Sequence, residues 1–123
     1  MVGGRSANQE VAQQALMALP FSSEAVDELD WEVTHLEIER PGWGSKLFDE
    51  VHERARLAEE HPELGQAVPG HDPRLDVRRF VIPKFGISVV VAVVEGEREV
   101  IAIAPGREKP DYWKNRLTKE RAK

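Results

Sequence analysis

Two stretches of the chain carry apolar residues at helical spacing. The first predicts a helix from Ser23 to about Arg40, with Ser22 or Ser23 as its N-cap. Pro41 and Gly42 follow and end this helix. Its apolar face is formed by Val26, Leu29, Val33 and Leu36. Acidic residues fill most of the remaining positions and are expected to form the polar side of the helix.

A second amphipathic helix is predicted from Ser45, its expected N-cap, to about Glu60. Its buried stripe is formed by Leu47, Phe48, Val51, Ala55 and Ala58. The opposite side is rich in charged residues, which indicates a solvated surface. The short linker Pro41–Gly44 therefore predicts a helical hairpin.

Beyond the hairpin the periodicity changes from that of a helix to that of β-strands. Three strands are predicted, at Leu75–Ile82, Gly86–Val94 and Glu99–Ala104. Their short connections indicate an antiparallel meander. The run Ile87–Val94 is apolar on both faces, which is typical of a central strand covered by helices. The predicted fold class is α+β, with a helical hairpin packed on a small antiparallel sheet and a short C-terminal helix or tail.

The start of the chain is interpreted separately from the rest. Residues 1–18 are predicted to be a flexible extension or a short helix, and residues 19–123 a single domain. Asn8–Ala18 fits a short helix, whereas Leu16–Phe21 fits a first strand equally well. Pro20 restricts such a strand to an edge or an end.

Composition narrows the classes of function. The 123-residue chain has a formal net charge of -5 and contains no cysteine, which excludes disulfides and thiolate metal sites. The four histidines show no metal-ligand spacing, so no metal or other cofactor is predicted. No apolar run suits a membrane span, and we expect a soluble, cytoplasmic protein without membrane contact. Acidic residues dominate as far as His71 and basic residues from Asp72 onward, so a negatively charged partner would meet the second half.

Four motifs occur in a fixed order along the chain. They are Phe21–Leu29, His61–Gly65, Val77–Phe80 and Ile101–Arg116, and the last contains Pro110, Tyr112, Trp113 and Arg116 in a Pro-x-Tyr-Trp-x-x-Arg pattern. Together they resemble the RelE/ParE superfamily, the toxins of bacterial type II toxin-antitoxin modules. The resemblance covers residues 19 to about 116 and implies a β-α-α-β-β-β fold.

This resemblance implies one of two activities. ParE-like members, of the plasmid-stabilisation type, bind and poison DNA gyrase, whereas RelE-like members cleave mRNA on the ribosome. Both are neutralised by a cognate antitoxin in a hetero-oligomer. The uncharged central strand and the acidic total favour a ParE-like toxin that acts by protein binding. The residues expected to contact the target or the antitoxin are Arg78, Arg79, Arg107, Lys109, Tyr112, Trp113 and Arg116.

One alternative is a RelE-like ribonuclease. Its catalytic residues would be Arg79, Arg107 and Tyr112, because guanidinium groups bind phosphate oxygens and a tyrosine of lowered pKa transfers protons. RelE-like enzymes carry an arginine early on the strand that here begins at Gly86 and Ile87, and neither residue is charged.

Another alternative is a non-toxic relative that keeps only the fold. Pro105 stands where many relatives have a histidine, and Glu108 where they have a second arginine. Structural roles also compete with binding roles. Arg78 and Arg79 point to opposite faces of their strand, so one of them can pair with an acidic helix residue. Trp113 is expected to pack on the sheet.

Overall fold

The computed structural model describes residues 19–119, in which two helices pack on one antiparallel sheet. The helices are α1 (Ser23–Glu39), α2 (Trp43–Glu60) and a short α3 (Asn115–Lys119). The strands are β1 (Gln66–Ala67), β2 (Arg78–Ile82), β3 (Ile87–Val94) and β4 (Glu97–Pro105). Their order in the sheet is β1-β2-β3-β4. The predicted α+β class, a helical hairpin on an antiparallel sheet, is confirmed.

The limits of α1 agree with the sequence pattern. The Ser22 hydroxyl is the N-cap and accepts a hydrogen bond from the Ala25 backbone N–H at 3.2 Å. At the other end the Arg40 N–H donates to the Leu36 carbonyl, after which Pro41 cannot continue the helix. A serine cap and a following proline therefore set both ends of α1.

The predicted start of α2 at Ser45 is wrong, because the helix begins at Trp43. Its first amides are capped from α1 instead: the Glu37 carboxylate accepts hydrogen bonds from the Gly42 N–H at 2.8 Å and from the Gly44 N–H at 2.9 Å. A Cβ on Gly44 would lie 2.7 Å from the Val33 carbonyl oxygen, so the two helices approach here as only glycine allows. A carboxylate seven residues away thus replaces the local serine cap.

The strand boundaries differ from the predicted ones at both ends of the meander. Pro73–Leu75 forms a single 3₁₀ turn and Asp76 adopts a φ of 43°, so β2 begins at Arg78 and not at Leu75. The sequence also missed β1, whose two residues pair antiparallel with β2. A strand of this length is too short to show an alternating pattern.

The turn between β3 and β4 is tighter than predicted. Glu95 and Gly96 have φ values of 53° and 84° and form a two-residue connection, so β4 begins at Glu97 and not at Glu99. Two consecutive positive φ angles match the twist of the strands that such a hairpin joins. β3 likewise begins at Ile87, because Gly86 has a φ of 64° and ends the preceding turn.

The expected first strand is reduced to a bridge at the β4 edge. The Val100 N–H donates to the Pro20 carbonyl, the Ser22 N–H donates to the Val100 carbonyl, and Phe21 lies parallel to Val100. Pro20 thus lies at an edge of the sheet, as its missing N–H requires. The extension or helix predicted for residues 1–18, and the start of the alternative strand at Leu16, lie outside the described residues.

Both faces of the sheet are covered, but by different elements. One face packs on the hairpin through a core that includes Leu47, Val51, Phe80, Val89 and Ile103. The other packs on the C-terminal segment through a core that includes Val77, Val90, Ile101, Trp113 and Leu117. The prediction that helices cover the central strand is confirmed for one face, and the chain after β4 covers the second. Within residues 19–119, no helix has the length and apolar character of a membrane span.

Candidate functional site

The C-terminal segment, residues 106–119, carries five of the seven predicted site residues. It folds back over the sheet and is fixed by Trp113, whose side chain is 1% exposed. The Trp113 ring lies 5.5 Å from the His71 ring, between centroids. Trp113 is therefore a packing residue, as the sequence analysis expected, and it is not available to a partner.

Glu28 of α1 is the main polar anchor of this segment. Its carboxylate accepts hydrogen bonds from the Ile103 backbone N–H at 2.9 Å and from the Tyr112 hydroxyl at 2.7 Å. It also forms two bonds to the Arg116 guanidinium, at 2.8 and 3.0 Å. Arg116 donates a further bond of 2.8 Å to the Ile101 carbonyl. One carboxylate thus ties β4, Tyr112 and Arg116 to the first helix, and we call this group the Glu28 clamp.

Burial and the Glu28 clamp both favour the neutral form of Tyr112. Burial raises the pKa of the Tyr112 phenol, and the hydrogen bond to Glu28 raises this pKa further. The same carboxylate raises the pKa of Arg116, against the effect of burial. Tyr112 is therefore a neutral phenol that donates to a carboxylate over the physiological pH range, and it has no character of a general base.

Arg107 is held by the next turn of the same helix. Its guanidinium donates to the Glu32 carboxylate at 2.5 Å and lies 5.2 Å from the centre of the Trp31 ring. The Arg107 side chain is 56% exposed, whereas Glu32 is 13% exposed. Arg107 thus presents one guanidinium face outward while its charge is partly compensated. A cleft of about 420 Å³ lies beside this pair, between Trp31 and Tyr112.

Arg79 lies away from these acids, on the sheet face opposite the hairpin. Its Cα partner on β3 is Val90, which belongs to the core under the C-terminal segment. Arg79 lines a depression of about 160 Å³ together with Ser88, Lys109 and Tyr112. Among the described residues, neither Arg79 nor Lys109 forms an ion pair with a carboxylate. Glu108 and Asp111 line the same depression, so the two cations lie near carboxylates without pairing with them.

Arg78 points to the hairpin side of β2, opposite Arg79, as the strand alternation predicted. The expectation that Arg78 or Arg79 pairs with an acidic helix residue is wrong for the described residues. Arg78 donates to Asp76 in the preceding turn at 2.9 Å, and Arg79 forms no ion pair. Arg78 also donates to the Gly65 carbonyl at 3.0 Å, and Arg98 donates to the second Asp76 oxygen at 3.1 Å. The acidic helix residues bind Arg107 and Arg116 instead. Arg78 therefore has a structural role at the edge of the sheet.

Asp76 gives a pH-dependent contribution to stability that can be measured. Burial alone would raise the Asp76 pKa, but hydrogen bonds from Arg78 and Arg98 outweigh burial and lower it. A carboxyl group whose pKa is lowered by folding stabilises the protein above its ordinary pKa of about 3.9, and this contribution is lost as the pH falls below that value. Asp76→Asn is therefore expected to cost about 1 kcal/mol at neutral pH, a value kept small by solvent screening.

The test is chemical denaturation of both proteins from neutral to acidic pH. The stability gap between wild type and Asp76→Asn should narrow as the pH falls below about 4. Asp30→Asn, at an exposed position of α1, is the control with the same change of charge. A gap that stays constant through the acid range would show that Asp76 acts by its shape and not by its charge.

Two groups of the site were not predicted as site residues. Glu28 and Glu32 were assigned to the polar side of the first helix, and they bind Tyr112, Arg116 and Arg107 instead. Their spacing of four residues places them on one face of α1, which is the only sequence signal they give. Among residues 19–119, no group of three or more histidine and carboxylate side chains is arranged to hold a metal ion.

The fold and site define an α+β protein in which a helical hairpin and a C-terminal segment enclose an antiparallel sheet, with acidic helix residues clamping that segment. Comparison with known proteins adds no relative to this description. No protein-family model, curated protein or solved structure matches the chain.

Proposed function

We propose that this chain is a RelE/ParE-type toxin of the ParE-like class, which inhibits growth by binding DNA gyrase and is neutralised by a cognate antitoxin. The observation that carries the choice of binding over catalysis is the Glu28 clamp. It fixes the Tyr112 hydroxyl as a donor to a carboxylate and raises its pKa. The residue that a ribonuclease would use for proton transfer is thereby committed to holding the C-terminal segment in place.

The order of elements supports the same proposal. A chain segment at the sheet edge, two helices, the two-residue β1 and then the strands β2 to β4 follow one another, and apart from β1 this is the order that the resemblance implies. The clamp gives the C-terminal segment a fixed shape without a partner, so little conformational entropy is lost when a target docks on it. Arg107 and Lys109 are exposed on this segment and supply the cations for that contact.

A second candidate function is supported by Arg79. This arginine and Lys109 line one depression with the Ser88 hydroxyl and with the carboxylates Glu108 and Asp111. The two cations and the hydroxyl group suit a phosphate of RNA, whereas the two carboxylates oppose one. A RelE-like ribonuclease on the ribosome would therefore use Arg79 and Lys109 to bind RNA. Tyr112 would still not serve such an enzyme in proton transfer, because its hydroxyl donates to Glu28.

The deciding experiment is induced expression in bacteria with two readouts. Supercoiling of relaxed plasmid by added gyrase tests the first function, and primer extension on cellular messages tests the second. Loss of supercoiling with intact messages supports the ParE-like proposal, and cleaved messages with normal gyrase activity overturn it. Normal growth with neither effect indicates a non-toxic relative. Pro105 and Glu108, which replace a histidine and an arginine of many relatives, are the residues that suggest this alternative.

Tyr112→Phe separates the two functions on one residue. Phenylalanine keeps the ring and removes the hydroxyl that donates to Glu28, at a cost of about 1–2 kcal/mol in stability. We expect the variant to retain growth inhibition, since the phenol is not catalytic in the proposed function. Arg107→Ala should weaken growth inhibition, with Arg74→Ala as the control at an exposed arginine elsewhere. Message cleavage that is present in the wild type and absent in Tyr112→Phe would contradict the proposal.

A further inference from the structure

The imidazole ring of His71 lies where the connection between β1 and β2 meets the C-terminal segment. It packs against Trp113, with 5.5 Å between the ring centroids. The His71 side chain is 13% exposed, and within residues 19–119 its Nε2 atom is buried and has no hydrogen-bond partner. Buried polar atoms are nearly always paired in folded proteins, so an unpaired one requires a physical explanation.

The carboxylate of Asp111, on the C-terminal segment, lies close to this nitrogen. Its Oδ2 atom is 4.0 Å from the His71 Nε2, which is too far for a hydrogen bond but within reach of an ion pair. Asp111 is 38% exposed and lies two residues before Trp113. A shift of about 1 Å would bring the two atoms to the distance of a charge-assisted hydrogen bond, about 2.8 Å.

The protonation state of His71 decides whether this shift is favourable. A neutral imidazole carries a hydrogen on one ring nitrogen, whereas an imidazolium carries one on each and is positively charged. Histidines ordinarily titrate near pH 6.5 and aspartates near pH 3.9, so a pair of this kind carries both charges between about pH 4 and pH 6.5. An attraction that needs the protonated ring is present in this window and is lost as the pH rises through about 6.5.

The charged residues that follow His71 along the chain are paired with one another. Arg74, in the 3₁₀ turn, lies 2.7 Å from the Asp72 carboxylate. Asp76 binds Arg78 of β2 at 2.9 Å and Arg98 of β4 at 3.1 Å. Their charges are therefore largely balanced without His71.

The charged groups on the side of the C-terminal segment lie around Asp111. Glu108 and Lys109 line the depression that Asp111 shares with Arg79 of β2. Among the described residues, neither of these two cations forms an ion pair with Asp111. The strands β3 and β4 contribute apolar side chains, such as Val90 and Ile101, to the core under Trp113. The Asp111 carboxylate is therefore available to a protonated His71.

We propose that His71 and Asp111 form a proton-dependent latch between the β1–β2 connection and the C-terminal segment. Protonation of His71 draws the Asp111 carboxylate onto Nε2 and pairs that buried atom in a charge-assisted hydrogen bond. Deprotonation releases Asp111, and the packing of Trp113 and the Glu28 clamp then hold the segment. The segment is thus fastened more firmly in mild acid. This device goes beyond the function given above and does not depend on gyrase as the target.

The test is a double-mutant cycle on the purified full chain, by urea denaturation at about pH 5.5 and about pH 8. His71→Phe keeps a ring against Trp113 and removes the titrating group. Asp111→Asn removes the charge, and asparagine tolerates the φ of 61° at this position. Burial opposes a charged imidazole, so the coupling between the two residues is measured and not the total stability. We expect a coupling of about threefold or more in the unfolding equilibrium constant at the acidic pH and none at the alkaline pH.

The matched control is the same cycle on His61 and Glu63, whose side chains lie 3.5 Å apart at exposed positions. Solvent screens this pair, so its coupling should be about twofold or less. A control coupling as large as that of His71 with Asp111 would assign the effect to surface charge and overturn the latch. The latch would also be overturned by equal coupling at both pH values, or by none at the acidic pH.

Hydrogen exchange locates the effect in the chain. At the acidic pH, Asp111→Asn should raise the exchange of amides in residues 106–119 by about threefold over wild type, and Glu63→Gln should not. Should His71→Phe fail to fold, the stability gap between wild type and Asp111→Asn replaces the cycle, and it must be larger at the acidic pH. Because all measurements are made on the pure protein, an absence of toxicity in cells would refute the proposed function and leave this result standing.

Discussion

Trp113→Ala is expected to lower the free energy of unfolding by about 4 kcal/mol, the largest effect of any single substitution considered for this chain. The indole is 1% exposed and fills the core between the sheet and the C-terminal segment, where it packs with Val90, Ile101 and Leu117. Its removal leaves a cavity that the segment cannot close without moving off the sheet. Urea denaturation followed by circular dichroism measures the loss.

Trp31→Ala is the matched control, because it removes the same side chain from a half-exposed position. Trp31 contacts His35 and Arg107 at the surface, so its loss should cost about 1 kcal/mol or less. Equal losses in the two variants would contradict the burial of Trp113 and the covering role of the C-terminal segment. A loss confined to Trp113→Ala would establish that this segment is part of the folded core.

The helices and the sheet could be predicted because their causes are local. Ser22 caps α1 from the position directly before the helix. Pro41 lies two residues after Glu39, the last residue of α1, and prevents the helix from continuing. The start of α2 could not be predicted, since its cap comes from Glu37 on the neighbouring helix. β1 was not predicted either, because its two residues form a strand by pairing with β2 and show no pattern of their own.

Only the basic and aromatic residues of the candidate site were predicted from the sequence, and the acidic residues that bind them were not. The basic and aromatic residues after β4 stand out in the sequence, but the acids that hold them lie about 75 to 88 positions earlier in the chain. Glu28 and Glu32 look like ordinary polar positions of an amphipathic helix, and only the packing of α1 against β4 brings them to Tyr112, Arg116 and Arg107. Pairwise charge compensation of this kind is a tertiary property that periodicity does not encode.

This compensation changes how the basic second half of the chain is interpreted. Arg78, Arg107 and Arg116 are all ion-paired within the molecule, so their charge serves the fold as well as any partner. Among residues 19–119, Arg79 and Lys109 are predicted site residues that form no ion pair with a carboxylate. Their charge is therefore less committed to the fold than that of the paired arginines.

Glu28→Ala is expected to lower the free energy of unfolding by about 3 kcal/mol. The change leaves the Arg116 guanidinium, whose side chain is 19% exposed, without its carboxylate, and it removes the acceptor of the Ile103 N–H and of the Tyr112 hydroxyl. Losing one partner of a largely buried ion pair costs far more than the pair itself contributes. Asp27→Ala, one position earlier on an exposed part of α1, is the control and should change stability much less.

Glu28→Gln tests the same clamp by spectroscopy, because Tyr112 is the only tyrosine of the chain. Absorbance of the phenolate should rise well above the ordinary tyrosine pKa of about 10 in the wild type, and at a lower pH in Glu28→Gln, where the carboxylate no longer opposes ionisation. Since folding raises this pKa, stability is full below about pH 10 and declines above it, so circular dichroism of the same samples reports any coupled unfolding. An ordinary tyrosine titration in the folded wild type would contradict the clamp, and with it the argument that Tyr112 is held for binding and not for proton transfer.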